Sequence, residues 1–133
     1  MEPIFLTLDE ILEIHQQQVE MYGGTLGLRD SGALESAVAM PMVTFERRYL
    51  HPTIPSMAAA YLFHITQNHP FLDGNKRTGA NAAITFLRLN DWEPTFSEEQ
   101  LVQTALAVAT GTLGKQDLVA FFEQHSRPTA QNS

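Results

Sequence analysis

Apolar residues recur at helical spacing along most of the chain, and short polar clusters interrupt them. Residues 7–10 (TLDE) form a capping box, in which Thr7 and Glu10 can each satisfy the other's amide. The box opens a helix to about residue 19, with Leu8, Ile11, Leu12 and Val19 near one face. Asp30 or Ser31 caps a short second helix that ends before Pro41 and turns Leu34, Ala37 and Val38 inward. Residues 57–68, capped by Ser56, are apolar almost all round, the pattern of a central buried helix. Residues 75–89 form its partner, ended by Asn90, and Ala80, Ala82 and Ala83 allow the two to approach closely. A second capping box, Ser97 to Gln100, starts a helix to about residue 110. A last helix over 116–125 buries Leu118, Val119, Phe121 and Phe122.

The segments between these helices are short and carry turn residues. Residues 22–27 are glycine-rich but lack the Lys-Ser/Thr pair of a phosphate loop, so they read as a connection. Residues 42–55, punctuated by Pro52 and Pro55, read as a long loop or a short hairpin. Residues 92–96 read as an extended connection with Trp92 as a core anchor, and residues 127–133 as a polar, frayed tail. The expected fold is all-α: one domain over residues 1–126, about six helices around a central pair.

Composition narrows the classes. A 133-residue chain buries about two-thirds of its unfolded surface and needs no disulfide or metal to hold it. The absence of cysteine excludes disulfides and thiolate-bound zinc and suits a reducing compartment. No apolar run approaches the ~20 residues that span a bilayer, and the acidic start, MEPIFLTLDE, does not read as a signal peptide. The cytoplasm is therefore the expected location. A net charge of −7 argues against direct nucleic-acid binding. Arg47–Arg48 and Lys76–Arg77 are the adjacent basic pairs, and a local cationic pocket on an acidic protein suits a small phosphate ligand.

The second pair belongs to residues 69–78, HPFLDGNKRT, which join a loop to the start of the 75–89 helix. A helix start carries free N–H groups and the positive end of the macrodipole, and phosphate binds there readily. Gly74, Asn75, Lys76 and Arg77 are the expected phosphate-binding residues, Asp73 the metal ligand for Mg²⁺, and His69 the catalytic base. The same run also reads as an ordinary turn, with Gly74 free to take positive φ and Asn75 as cap. Turn chemistry leaves His69 and the cationic pair unexplained, and cations in a first helical turn oppose the dipole unless an anion binds. His15 and His64, each within a helix, read as structural histidines. A metallohydrolase is disfavoured, because His69 and Asp73 lack a companion ligand set.

The run resembles the signature of the Fic/Doc superfamily, H-x-F-x-D/E-G/A-N-G/K-R, which His69, Phe71, Asp73, Gly74, Asn75, Lys76 and Arg77 fill position by position. MYGG (21–24), GLRD (27–30), FLRLN (86–90) and ATG (109–111) extend the likeness to residues 4–126. Lysine at 76 resembles the Doc branch, and alanine at 80 stands where many Fic enzymes carry a second phosphate-holding arginine. The resemblance implies a toxin that transfers the γ-phosphate of ATP to a threonine of elongation factor Tu, and a flap in the 42–55 region that docks the target. Fic-type inhibitory helices carry S/T-x-x-x-E-G/N; the run Ser31–Glu35 is followed by Ser36, so the implied inhibitor is a separate Phd-like antitoxin. Nucleotidyl transfer to a protein and non-enzymatic partner binding stand as alternative readings.

Overall fold

The structure, a computed structural model, describes residues 2–129. Its helices are α1 (Leu8–Tyr22), α2 (Ser31–Ala39), α3 (Ile54–Asn68), α4 (Asn75–Leu89), α5 (Glu98–Ala109) and α6 (Lys115–Gln124). Two small antiparallel pairs accompany them: β1 (Thr44–Phe45) with β2 (Arg48–Tyr49), and β3 (Trp92–Pro94) with β4 (Ser126–Pro128). The mostly helical architecture is the one expected from the hydrophobic pattern. Among the described residues no helix is long and apolar enough to cross a membrane.

α3 and α4 form the centre. Ala58, Ala59 and Ala60 on α3, and Ala80, Ala82 and Ala83 on α4, are fully buried. Gly79 sets the spacing, since a Cβ there would lie 3.2 Å from the Leu62 carbonyl oxygen and 3.3 Å from Thr66 Oγ1. Tyr61 lies within this core and accepts a hydrogen bond from the Leu6 amide at 2.9 Å. Burial pushes its hydroxyl pKa up to about 12.

Both capping boxes form as expected, Thr7 with Glu10 and Ser97 with Gln100. α3 starts three residues before the expected position: Thr53, not Ser56, is its cap, and Ser56 is the reciprocal partner in the box. Proline at 55 does not stop the helix, because a first-turn proline lacks only an N–H that would have no intrahelical partner. The 42–55 segment contains the short hairpin, whose turn residues Glu46 and Arg47 both adopt positive φ (51° and 68°). Residues 127–128 correct the expectation of a frayed tail. Arg127 pairs with Glu93 in the β3–β4 register, and its Nε donates to Glu93 Oε1 at 2.7 Å. Residues 130–133 of that tail lie outside the described residues.

Candidate active site

The motif loop leaves α3 at His69, which terminates the helix in the left-handed region (φ 50°, ψ 54°) with its amide bonded to the Ile65 carbonyl at 3.2 Å. A non-glycine residue holds that conformation only when its surroundings enforce it. Arg29 supplies the enforcement. Its Nε donates to the His69 carbonyl at 2.6 Å and its Nη2 to the Asn68 carbonyl at 2.8 Å. The amides of Arg29 and Asp30 both donate to the Pro70 carbonyl, at 2.7 and 3.0 Å. His69 is itself exposed.

Past His69 the loop is anchored from inside. Phe71 is 1% exposed and stacks on His15, with ring centroids 3.7 Å apart and planes 6° from parallel. His15 Nε2 donates to the Asp73 carbonyl at 2.8 Å, so this buried histidine is structural, as its helical setting suggested. Asn75 closes the loop on itself: Oδ1 accepts from the Phe71 amide and Nδ2 donates to the Phe71 carbonyl, both at 2.9 Å. That corrects the expected role of its side chain, which is buried and has both polar atoms engaged with Phe71. Only the Asn75 backbone N–H is left for an external acceptor. Nor is Asn75 the cap; Gly74 is, at φ 78°, and no side chain caps α4.

An uncapped helix start leaves its first N–H groups for an external acceptor. Beside it, Lys76 makes no ion pair among the described residues. The Arg77 guanidinium lies 3.9 Å over the Tyr22 ring, and its Nη2 is 3.5 Å from Glu99 Oε2. Its buried Nη1 has no partner. A buried guanidinium donor with no acceptor is costly, and a phosphate oxygen would relieve it. Thr78 is fully buried, and Asn81 donates to Glu98 Oε2 at 2.7 Å.

Asp73 is exposed. Its Oδ1 accepts from the Gly74 amide at 3.0 Å and its Oδ2 from the Thr25 amide at 3.3 Å. Gly24 makes the second contact possible, for a Cβ there would lie 2.9 Å from Asp73 Oδ2. Among the described residues no cluster of three or more His, Cys, Asp or Glu side chains could hold a metal alone. One exposed carboxylate beside an uncapped helix start nevertheless fits Mg²⁺, which typically takes one or two carboxylates and completes its shell with phosphates and water.

Sequence reading missed Arg29, Gly24 and Thr25 as parts of this site. The glycines of MYGG and the arginine of GLRD were the visible traces, but their contacts with residues some 40–50 positions away were not.

A sequence model of the Fic/DOC family matches residues 5–87. The chain is 45% identical to Toxin Doc of Mycolicibacterium smegmatis over 69 residues, which is 52% of this chain and 53% of that protein. It is 30% identical to Protein kinase doc of Escherichia phage P1 over 108 residues, 79% of this chain and 82% of that one. The chain thus spans about half the length of the first relative and most of the second. The family match includes the Arg29 clamp, the motif loop and the start of α4, and on these grounds the chain belongs to the Fic/DOC family.

Proposed function

We propose that this chain is a Doc-like protein kinase toxin. It transfers the γ-phosphate of ATP to a threonine hydroxyl of elongation factor Tu, arrests translation in the cytoplasm, and is held in check by a Phd-like antitoxin. The observation that carries the reading is the unpartnered, buried Arg77 Nη1 beside the uncapped start of α4 and the unpaired Lys76. All three call for a polyphosphate. The names of the two relatives, a toxin and a protein kinase, point the same way.

In this mechanism His69 takes the proton of the threonine hydroxyl as its oxygen bonds to the γ-phosphorus. The bond from that phosphorus to the β–γ bridging oxygen breaks, and ADP leaves with the electron pair. Lys76 and Arg77 bind phosphate oxygens, one as a point charge and the other as a fork, while the N–H groups following Gly74 complete the nest. Asp73 would hold Mg²⁺, which neutralises charge on the phosphates when bound. Ala80 is fully buried in the core, so α4 presents no further cation one turn on; this favours γ-phosphate over nucleotidyl transfer.

Two surfaces suit the protein partners. Phe45, 69% exposed at the β1–β2 hairpin, offers a docking edge for the target. Met21, Tyr22, Leu26, Leu28 and Leu72 are exposed apolar residues next to the motif loop, and a folding antitoxin segment would cover them.

The test is incubation of the purified chain with elongation factor Tu and ATP labelled at the α or the γ position. We expect γ-label on a threonine, and a loss of about 10²–10⁴-fold for His69→Ala at unchanged thermal stability. Transfer of α-label would replace this reading with nucleotidyl transfer. No transfer of either label would leave a partner-binding module.

A further inference from the structure

A second gathering of basic groups lies away from the motif loop and shares no residue with it. His51 comes from the segment after β2, His64 from α3, and Lys115 is the first residue of α6. Lys115 Nζ lies 3.0 Å from His64 Nε2, and because an ammonium only donates, that ring nitrogen accepts. A cavity of about 260 Å³ opens beside them, lined by His51, Ser56, Lys115 and Gln116 among others. His51 is 5% exposed, and its Nδ1 is buried with no hydrogen-bond partner.

Among the described residues no carboxylate pairs with Lys115 or with either histidine. The two ion pairs among the described residues are Arg77–Glu99 and Arg127–Glu93. On α6 itself, Asp117 accepts from the Gly114 amide at 3.2 Å and Glu123 accepts from Thr53 Oγ1 at 3.2 Å. Gly114 caps α6, and its amide is already taken by Asp117, so the donors left for a ligand are side chains.

We propose that this cavity is a binding site for a phosphate-type oxyanion, held by Lys115, His51 and Gln116. The ammonium keeps two donors after its bond to His64, and Gln116 contributes an amide. His51 lines the same cavity and, once protonated, brings a second positive charge beside the ammonium. Several donors, from α6 and from the segment after β2, match a tetrahedral anion with several acceptor oxygens better than a single carboxylate. The energetics agree with the geometry. Burial, followed by the repulsion of Lys115, holds both histidines below the usual range, His64 at about 4, and a bound anion would offset both effects.

Inorganic phosphate titrated into the full chain, followed by NMR of the histidine rings and the backbone amides, tests the site. Residue resolution is essential because phosphate also fits the start of α4. We expect saturable shifts at His51 and His64, a rise in the His64 pKa, and a weaker response to acetate. Lys115→Met should weaken binding at this site about tenfold or more while the amides of residues 75–77 respond as before. If that variant does not fold, Lys115→Gln and the phosphate-dependent His64 pKa of the wild type carry the same comparison. A response confined to residues 75–78 would overturn the proposal. So would ring shifts that never saturate, or that persist unchanged without Lys115.

Discussion

Lys76 and Arg77 reach the start of α4 as neighbours in sequence, whereas His51, His64 and Lys115 meet from three separate elements. The first pair is only partly covered and has Glu99 at 3.5 Å to moderate it. In the second group His51 is buried, and His64 and Lys115 are half-buried. None of the three makes an ion pair among the described residues, so burial and the charge of Lys115 hold the histidines down, to about 4 for the His64 pKa. Each arrangement suits an anion, but they are built differently. At the motif loop the frame is rigid and the cations are ready; in the α3–α6 cavity the charge is latent and an anion would restore it.

The rigidity of the loop is the easiest part of the contrast to break. Asn75→Ala removes both bonds to Phe71 and leaves a buried amide and carbonyl unpaired. We expect a loss of about 2–4 kcal/mol in stability, read from urea unfolding, together with loss of γ-phosphate transfer. A variant within about 1 kcal/mol of wild type would mean that the Arg29 clamp and the His15–Phe71 stack frame the loop without Asn75.

Arg29 offers a cleaner separation of positioning from stability. It is exposed, so Arg29→Ala should cost only about 1 kcal/mol. Freeing the His69 carbonyl should nonetheless lower kcat for γ-phosphate transfer about tenfold or more, with a smaller change in KM for ATP. Arg29→Lys cannot reproduce the two-carbonyl fork and should recover little of the loss. An equal fall in kcat for Arg29→Ala and for a distant variant of matched stability would remove the clamp from the mechanism.

The smallest effect belongs to the cavity. His64 titrates near 4 in the fold against about 6.5 in the unfolded chain. On acidification the unfolded chain therefore takes the proton first, and stability present above pH 6.5 is lost as pH falls towards 4. With allowance for the ring's partial exposure the loss is about 1 kcal/mol. His64→Gln keeps an acceptor for Lys115 but does not titrate, so the difference between its urea midpoint and that of wild type should shrink from pH 7 to pH 5. A constant difference would show that His64 does not carry this pH dependence.

Much of the fold was legible because its signals are local. The capping boxes at Thr7 and Ser97, the alanine-rich faces and the stop at Asn90 each depend on residues within a turn or two of one another. The placement of His69, Asp73, Gly74, Lys76 and Arg77 on one loop between two helices was legible for the same reason, since they follow one another in sequence. Even there locality had limits: Asn75 read as a cap and phosphate ligand, but its side chain serves Phe71. Ser56 read as a cap, but pairs with Thr53 from inside the helix.

What the tertiary structure alone decided are contacts between distant segments. Arg29 holds the carbonyls of residues 68 and 69, Thr25 donates to Asp73, residues 126–128 pair with 92–94, and Lys115 meets His64. A hydrogen bond between such residues leaves no periodicity and no fixed spacing in the chain. It exists only once packing has brought the two segments together and removed the water that either group would otherwise bind.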